Sequence, residues 1–189
     1  MRSGATESSP VLSDLLGLTG PALEAAEALL GAAKRRLLAD VAPGGSIDPA
    51  LLEARQFAAH GYAWMATYVE ALRQLRLWAL GLEATGQLRE LEALILQMGF
   101  GEYLGQLAGG IALSQVEIVR PHDLGLGEDE LAAFRRPAAA SLMHAGNTEA
   151  ARARLAELIR DALESGDFGR LALGEESLDD GCDVHAAGR

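Results

Sequence analysis

Between Pro49 and Thr85-Gly86 nothing in the chain stops a helix decisively. Asp48 suits an N-cap and Pro49 a first helical position. The spacing therefore predicts one helix of about 36 residues, roughly 54 Å long at 1.5 Å per residue. A helix of that length needs other helices along its side, which makes it the long member of a bundle. Inside it, Phe57, Gly61, Trp64, Tyr68, Leu72, Leu75, Trp78 and Leu82 recur at three- and four-residue steps, while His60, Thr67 and Gln74 form a separate stripe. Five of the nine aromatic residues, Phe57, Tyr62, Trp64, Tyr68 and Trp78, fall in this stretch. Rings at helical spacing read as packed core, since aromatics dominate core burial. The competing reading makes them the lining of a pocket for a flat ligand. Glu70 and Arg73, three apart, are placed to pair.

The remaining segments are also helical. In "TGPALEAAEALLGAAKRRLLADVAPGG", Thr19 is an expected cap, Pro21 fits a first turn, and Lys34, Arg35 and Arg36 lie toward the C-terminal end before Pro43-Gly44-Gly45. In "QLRELEALILQMGFGEYLGQLAGGIALSQVEIVRP", Gly101, Gly105 and Gly109 are spaced by four. On a helix that spacing predicts a groove where another backbone packs closely. Alternatively, Gly109-Gly110 ends the helix and the chain turns against a ligand. After Pro121 a loop is expected, then a short helix with Glu128, Asp129 and Glu130 at its start and Arg135-Arg136 at its end. Asn147 is the expected cap of a helix running to Ser165. Strand signals are nearly absent. The prediction is an all-α helical bundle with one long central helix and no substantial sheet. Residues 1–18 form a flexible segment, 19–165 the bundle, and 166–189 an acidic, disordered tail.

Composition narrows the function. The net charge of -11 opposes a non-specific grip on nucleic acid or anionic lipid. The single cysteine, Cys182, fits a reducing compartment. No secretory signal and no membrane-length apolar stretch is read, so a cytoplasmic location is expected. The four histidines, His60, His122, His144 and His185, show no metal-ligand spacing. Phosphate-loop, dinucleotide and nucleophile-elbow motifs are missing. Glu102 lies in the most apolar stretch, where burial would bring a carboxylate toward general-base range. The plainer alternative has it facing water or paired with an arginine.

"RQFAAHGYAWMATYVEALRQL" and "LILQMGFGEYLGQLAGGIALSQVEIVRP" resemble the helical N-terminal extension of the methylsuccinyl-CoA dehydrogenases, a flavin-dependent branch of the acyl-CoA dehydrogenase family. The resemblance covers about residues 48–125, and the helix from Asn147 to Ser165 fits the segment leading into the enzyme core. More distantly, Arg55-Gln56-Phe57, Glu70-Ala71-x-Arg73 and Gly109-Gly110 are similar to the C-terminal helical domain of the wider family. In that family a β-domain packs on the flavin and a glutamate base acts from the C-terminal helical domain. This chain shows no strand-rich middle, so the resemblance implies no cofactor here and FAD only for the complete enzyme. It implies a helical accessory domain without a complete active site, docking on a dehydrogenase core or on another copy of itself. The alternative function is a bundle binding a small molecule or acyl group, with Trp64, Tyr68, Phe100 and Glu102 as candidate ligand residues. An exposed apolar patch would favour docking; a closed cavity with convergent polar groups would favour ligand binding.

Overall fold

A computed structural model describes residues 10–165. The expected tail, 166–189, and the first nine residues of the expected N-terminal segment lie outside the described residues, as do His185 and Cys182. The architecture is mostly all-α. Its helices are α1 (Leu15–Val41), α2 (Pro49–Ala54), α3 (Gln56–Ala84), α4 (Glu90–Gly109), α5 (Glu128–Phe134), α6 (Pro137–Ala145) and α7 (Glu149–Ser165). Two short strands, β1 (Ile111–Ala112) and β2 (Ile118–Val119), form a hairpin with Ile111 opposite Val119, and a 3-10 turn follows at Pro121–Leu124.

The long second helix is interrupted. Asp48 caps α2 as expected, its carboxylate accepting from the backbone N–H of Ala50 at 2.8 Å and of Leu51 at 3.2 Å. At Arg55 the backbone leaves helical geometry (φ -115°, ψ 20°) before α3 begins. The physical reason is that α2 buries no residue, so no packing holds it in line with α3. Arg55 instead pairs with Asp40 near the end of α1, at 3.2 Å.

α1 also starts earlier than its sequence suggests. Thr19 is not a cap; it is buried inside the helix and its hydroxyl donates to the Leu16 carbonyl at 2.9 Å. Pro21 lies in the helix interior, where it removes one backbone donor. The buried side of α1 is dominated by alanine: Ala22, Ala25, Ala26, Ala32 and Ala33 around Leu29. Small side chains let α3, α5 and α6 approach α1 closely.

That close approach decides which part of α3 is core. Its buried positions are Gly61, Met65, Val69, Leu72, Ala79 and Leu82. The rings expected in the core flank this seam instead. Tyr62, Tyr68 and Trp78 are half-buried against it, and Phe57 and Trp64 remain 41% and 37% exposed. Aliphatic and small side chains fill the narrow seam between closely packed helices, and planar rings cover its edge. Glu70 and Arg73 do pair, and Arg73 also donates to Glu27 of α1 at 2.7 Å.

α4 packs against α3, α6 and α7. Its three spaced glycines behave differently. A Cβ on Gly101 would stand 2.9 Å from the Leu142 carbonyl oxygen and 3.1 Å from the Asn147 nitrogen, so this glycine is where the α6–α7 turn crosses α4. A Cβ on Gly105 or Gly109 would meet nothing within 4 Å, which corrects the expected groove. Four residues advance about 400° around a helix, so each step drifts about 40° and the later glycines rotate off the packed face. α4 ends at Gly109, and Gly110, at φ 139°, turns the chain into β1.

α6 was not anticipated from the sequence. Pro137 opens it, a first-turn position that suits proline. The cap of α7 is Thr148 rather than Asn147: its hydroxyl accepts from the Ala151 N–H at 3.2 Å. Asn147 is engaged elsewhere. Arg154 grips Glu90 through two bonds, 3.1 and 2.7 Å, fastening α7 to the start of α4. No helix among the described residues is long and apolar enough to cross a membrane.

Candidate functional site

The outer edge of α3 carries rings at four-residue spacing, and each is held by the next. Trp64 Nε1 donates to His60 Nε2 at 3.0 Å, one turn back. Trp64 meets Tyr68 edge-on, with ring centroids 6.3 Å apart and planes at 82°. Tyr68 lies tilted on Tyr103 of α4 at 4.8 Å. Burial raises the Tyr68 hydroxyl pKa, and Tyr103 and Glu102 nearby push it further in the same direction. The hydroxyl therefore stays protonated and donates to Gln106 Oε1 at 2.9 Å.

From Gln106 the chain of bonds continues one turn back along α4 and then to the start of α7. Gln106 Nε2 donates to Glu102 Oε1 at 2.8 Å, and Asn147 Nδ2 donates to Glu102 Oε2 at 2.8 Å. Arg152 Nη1 in turn donates to the Asn147 carbonyl and to Asn147 Oδ1, both at 2.9 Å. This line of hydrogen bonds joins α3, α4 and the start of α7. Glu102 is exposed, and both its oxygens accept from amides. That geometry suits a fastener between α4 and the α6–α7 turn.

The four candidate ligand residues are thus only partly brought together. Trp64 touches Tyr68, and Tyr68 reaches Glu102 through Gln106. Phe100 is fully buried in the core. Three clefts, of about 590, 640 and 240 Å³, lie elsewhere on the surface, and none of the three is lined by Trp64, Tyr68, Phe100 or Glu102. Among the described residues no group of three or more His, Cys, Asp or Glu could hold a metal ion.

Sequence reasoning missed Gln97, the most consequential polar residue of α4. Fully buried, it accepts from the Leu12 N–H at 2.7 Å and donates to the carbonyls of Pro10 at 3.0 Å and Gly146 at 3.2 Å. It ties the chain before α1 and the α6–α7 turn to one point. A glutamine in an otherwise apolar stretch was the available signal, because a buried amide must find partners. Gln106, Asn147 and Arg152 carried no comparable signal, since polar residues at such positions usually face water.

No protein-family model matches the chain. Over 172 aligned residues it is 48% identical to (2S)-methylsuccinyl-CoA dehydrogenase of Cereibacter sphaeroides. The chain is a homologue of one part of an acyl-CoA dehydrogenase. The alignment takes in 88% of this chain but only 30% of the dehydrogenase, so the chain spans about a third of that relative's length. The likeness extends well beyond residues 48–125. Whether the described residues suit the flavin that the family resemblance implies is a separate question. Their only sheet is the hairpin of β1 and β2, so they supply no β-domain to pack on a flavin.

Proposed function

We propose that this chain is a helical accessory domain of a methylsuccinyl-CoA dehydrogenase-like protein, acting by docking on a dehydrogenase core rather than by chemistry of its own. The observation that carries this reading is the unequal coverage: 48% identity along 88% of the chain, against 30% of the relative. The site geometry supports it. Trp64, Tyr68 and Glu102 are joined along one edge by ring contacts and hydrogen bonds, and none of them lines the three clefts described above. In the acyl-CoA dehydrogenases FAD takes up the hydride, and on this reading the flavin, the acyl-CoA and the base all belong to the dehydrogenase core. A cytoplasmic location fits such an enzyme.

The test is a chimera of the relative in which this chain replaces the segment it matches. The chimera is expected to oxidise methylsuccinyl-CoA, while the chain alone turns over nothing even with FAD added. Turnover by the chain alone would overturn the reading. Saturable binding of acyl-CoA without turnover would favour the alternative, an acyl-binding bundle.

A further inference from the structure

The exposed apolar side chains of the described residues are not spread evenly. Val119 of β2 crosses α3 at Gly61, where a Cβ would stand only 2.5 Å from Val119 Cγ1. Gly61 is four residues after Phe57 and three before Trp64, so these two exposed rings lie one turn to either side of the crossing. Ile118, next to Val119, is 37% exposed, and Val116 at the hairpin tip is 95% exposed. By chain geometry all four lie within about 15 Å of the crossing point.

Two parts of this patch are pinned by specific contacts. Ser114 Oγ accepts from the N–H of Val116 at 3.3 Å and of Glu117 at 3.1 Å, and the Leu113 N–H donates to the Glu117 carbonyl at 2.8 Å. The loop therefore holds Val116 out into solvent in one conformation. Trp64 is fixed by His60 on one side and Tyr68 on the other. Apolar side chains whose freedom is already lost bind at low entropic cost, and tryptophan is a frequent anchor of interfaces.

We infer that the hairpin tip and the Phe57–Trp64 edge of α3 together form the surface by which this bundle docks on a dehydrogenase core. The inference rests on the function proposed above and names the surface through which it acts. The occupant is argued from size and tethering. Four partly exposed side chains offer on the order of a few hundred Å², whereas free partners need about 800 Å² each to associate stably. A second free copy of the chain is therefore poorly held by this patch. In the relative, the matched segment is covalently joined to the remaining dehydrogenase. A short tether gives effective concentrations on the order of millimolar, at which a small, partly pinned patch suffices.

Hydroxyl-radical footprinting of the free chain and of the chimera tests this. Labelling of Phe57, Trp64 and Val116 is expected to fall severalfold in the chimera, while Leu163 on α7, also exposed, keeps its labelling. Val116→Asp is expected to leave the Tm of the free chain unchanged, lower that of the chimera and restore Trp64 labelling there. Leu163→Asp should do none of this. Protection confined to other faces, or a chimera indifferent to Val116→Asp, would overturn the inferred surface while leaving the docking function standing. No protection on any face would overturn both.

Discussion

The two sides of α3 are built on opposite principles. The buried side uses Met65, Val69, Leu72 and Ala79, which share one core with the alanines of α1. The outer edge uses rings joined to one another by directed contacts, His60 to Trp64 to Tyr68 to Tyr103, and leaves part of each surface in water. Stability resides in the first arrangement. The second contributes less, because part of each ring stays in water, and its directed contacts position large apolar groups at the surface. An aromatic stripe at helical spacing does not by itself distinguish the two; the size of the residues on the opposing helix does.

The sharpest way to break this contrast is to truncate one residue of each kind. Leu72→Ala, on the buried side of α3, is expected to cost about 2–5 kcal/mol in denaturant unfolding. Trp64→Ala should cost clearly less, about 1–2 kcal/mol, because more than a third of the residue stays in water. Comparable losses would erase the distinction. Gln97→Ala is expected to cost about 2–3 kcal/mol, since it strands the Leu12 N–H and the carbonyls of Pro10 and Gly146. Hydrogen exchange should show the α6–α7 turn opening first in that variant.

A subtler change acts where the two sides meet. Gly61→Ala forces a Cβ into Val119 and is expected to cost about 1–3 kcal/mol, most of it recovered when Val119→Ala is added. Lack of recovery in the double variant would mean that the hairpin does not rest on α3 at this point. The smallest effect is electrostatic and lies far from either side of α3. The Arg36 guanidinium, and then the Gly127 N–H, hold the Glu130 carboxyl below its usual range. Because its pKa is lower in the folded state, its contribution is complete above the unfolded pKa and disappears as pH falls through the folded one. Arg36→Ala should move the Glu130 titration upward in a carboxyl NMR experiment.

Much of the bundle was legible because periodicity and stop signals are local. Pro43-Gly44-Gly45, Thr85-Gly86 and the Asp48 cap fall where elements end or begin. The break at Arg55 was not legible, because it depends on α2 finding no partner to pack against. Which of the three glycines meets a neighbour depends likewise on where the α6–α7 turn crosses α4; the spacing within α4 sets only the drift from one to the next. The line from Tyr68 through Gln106 and Glu102 to Asn147 joins residues 38 and 45 positions apart in sequence, so only the fold reveals it.

The central claim is that this chain supports a dehydrogenase without holding its chemistry. Titrating the purified chain with FAD and with methylsuccinyl-CoA, while following flavin absorbance and tryptophan fluorescence, tests it most directly. A docking role predicts no retained flavin band and no saturable quenching of Trp64 or Trp78. A stoichiometric flavin band, or saturable quenching by the acyl-CoA, would contradict it and make the ring-bearing edge of α3 a ligand site.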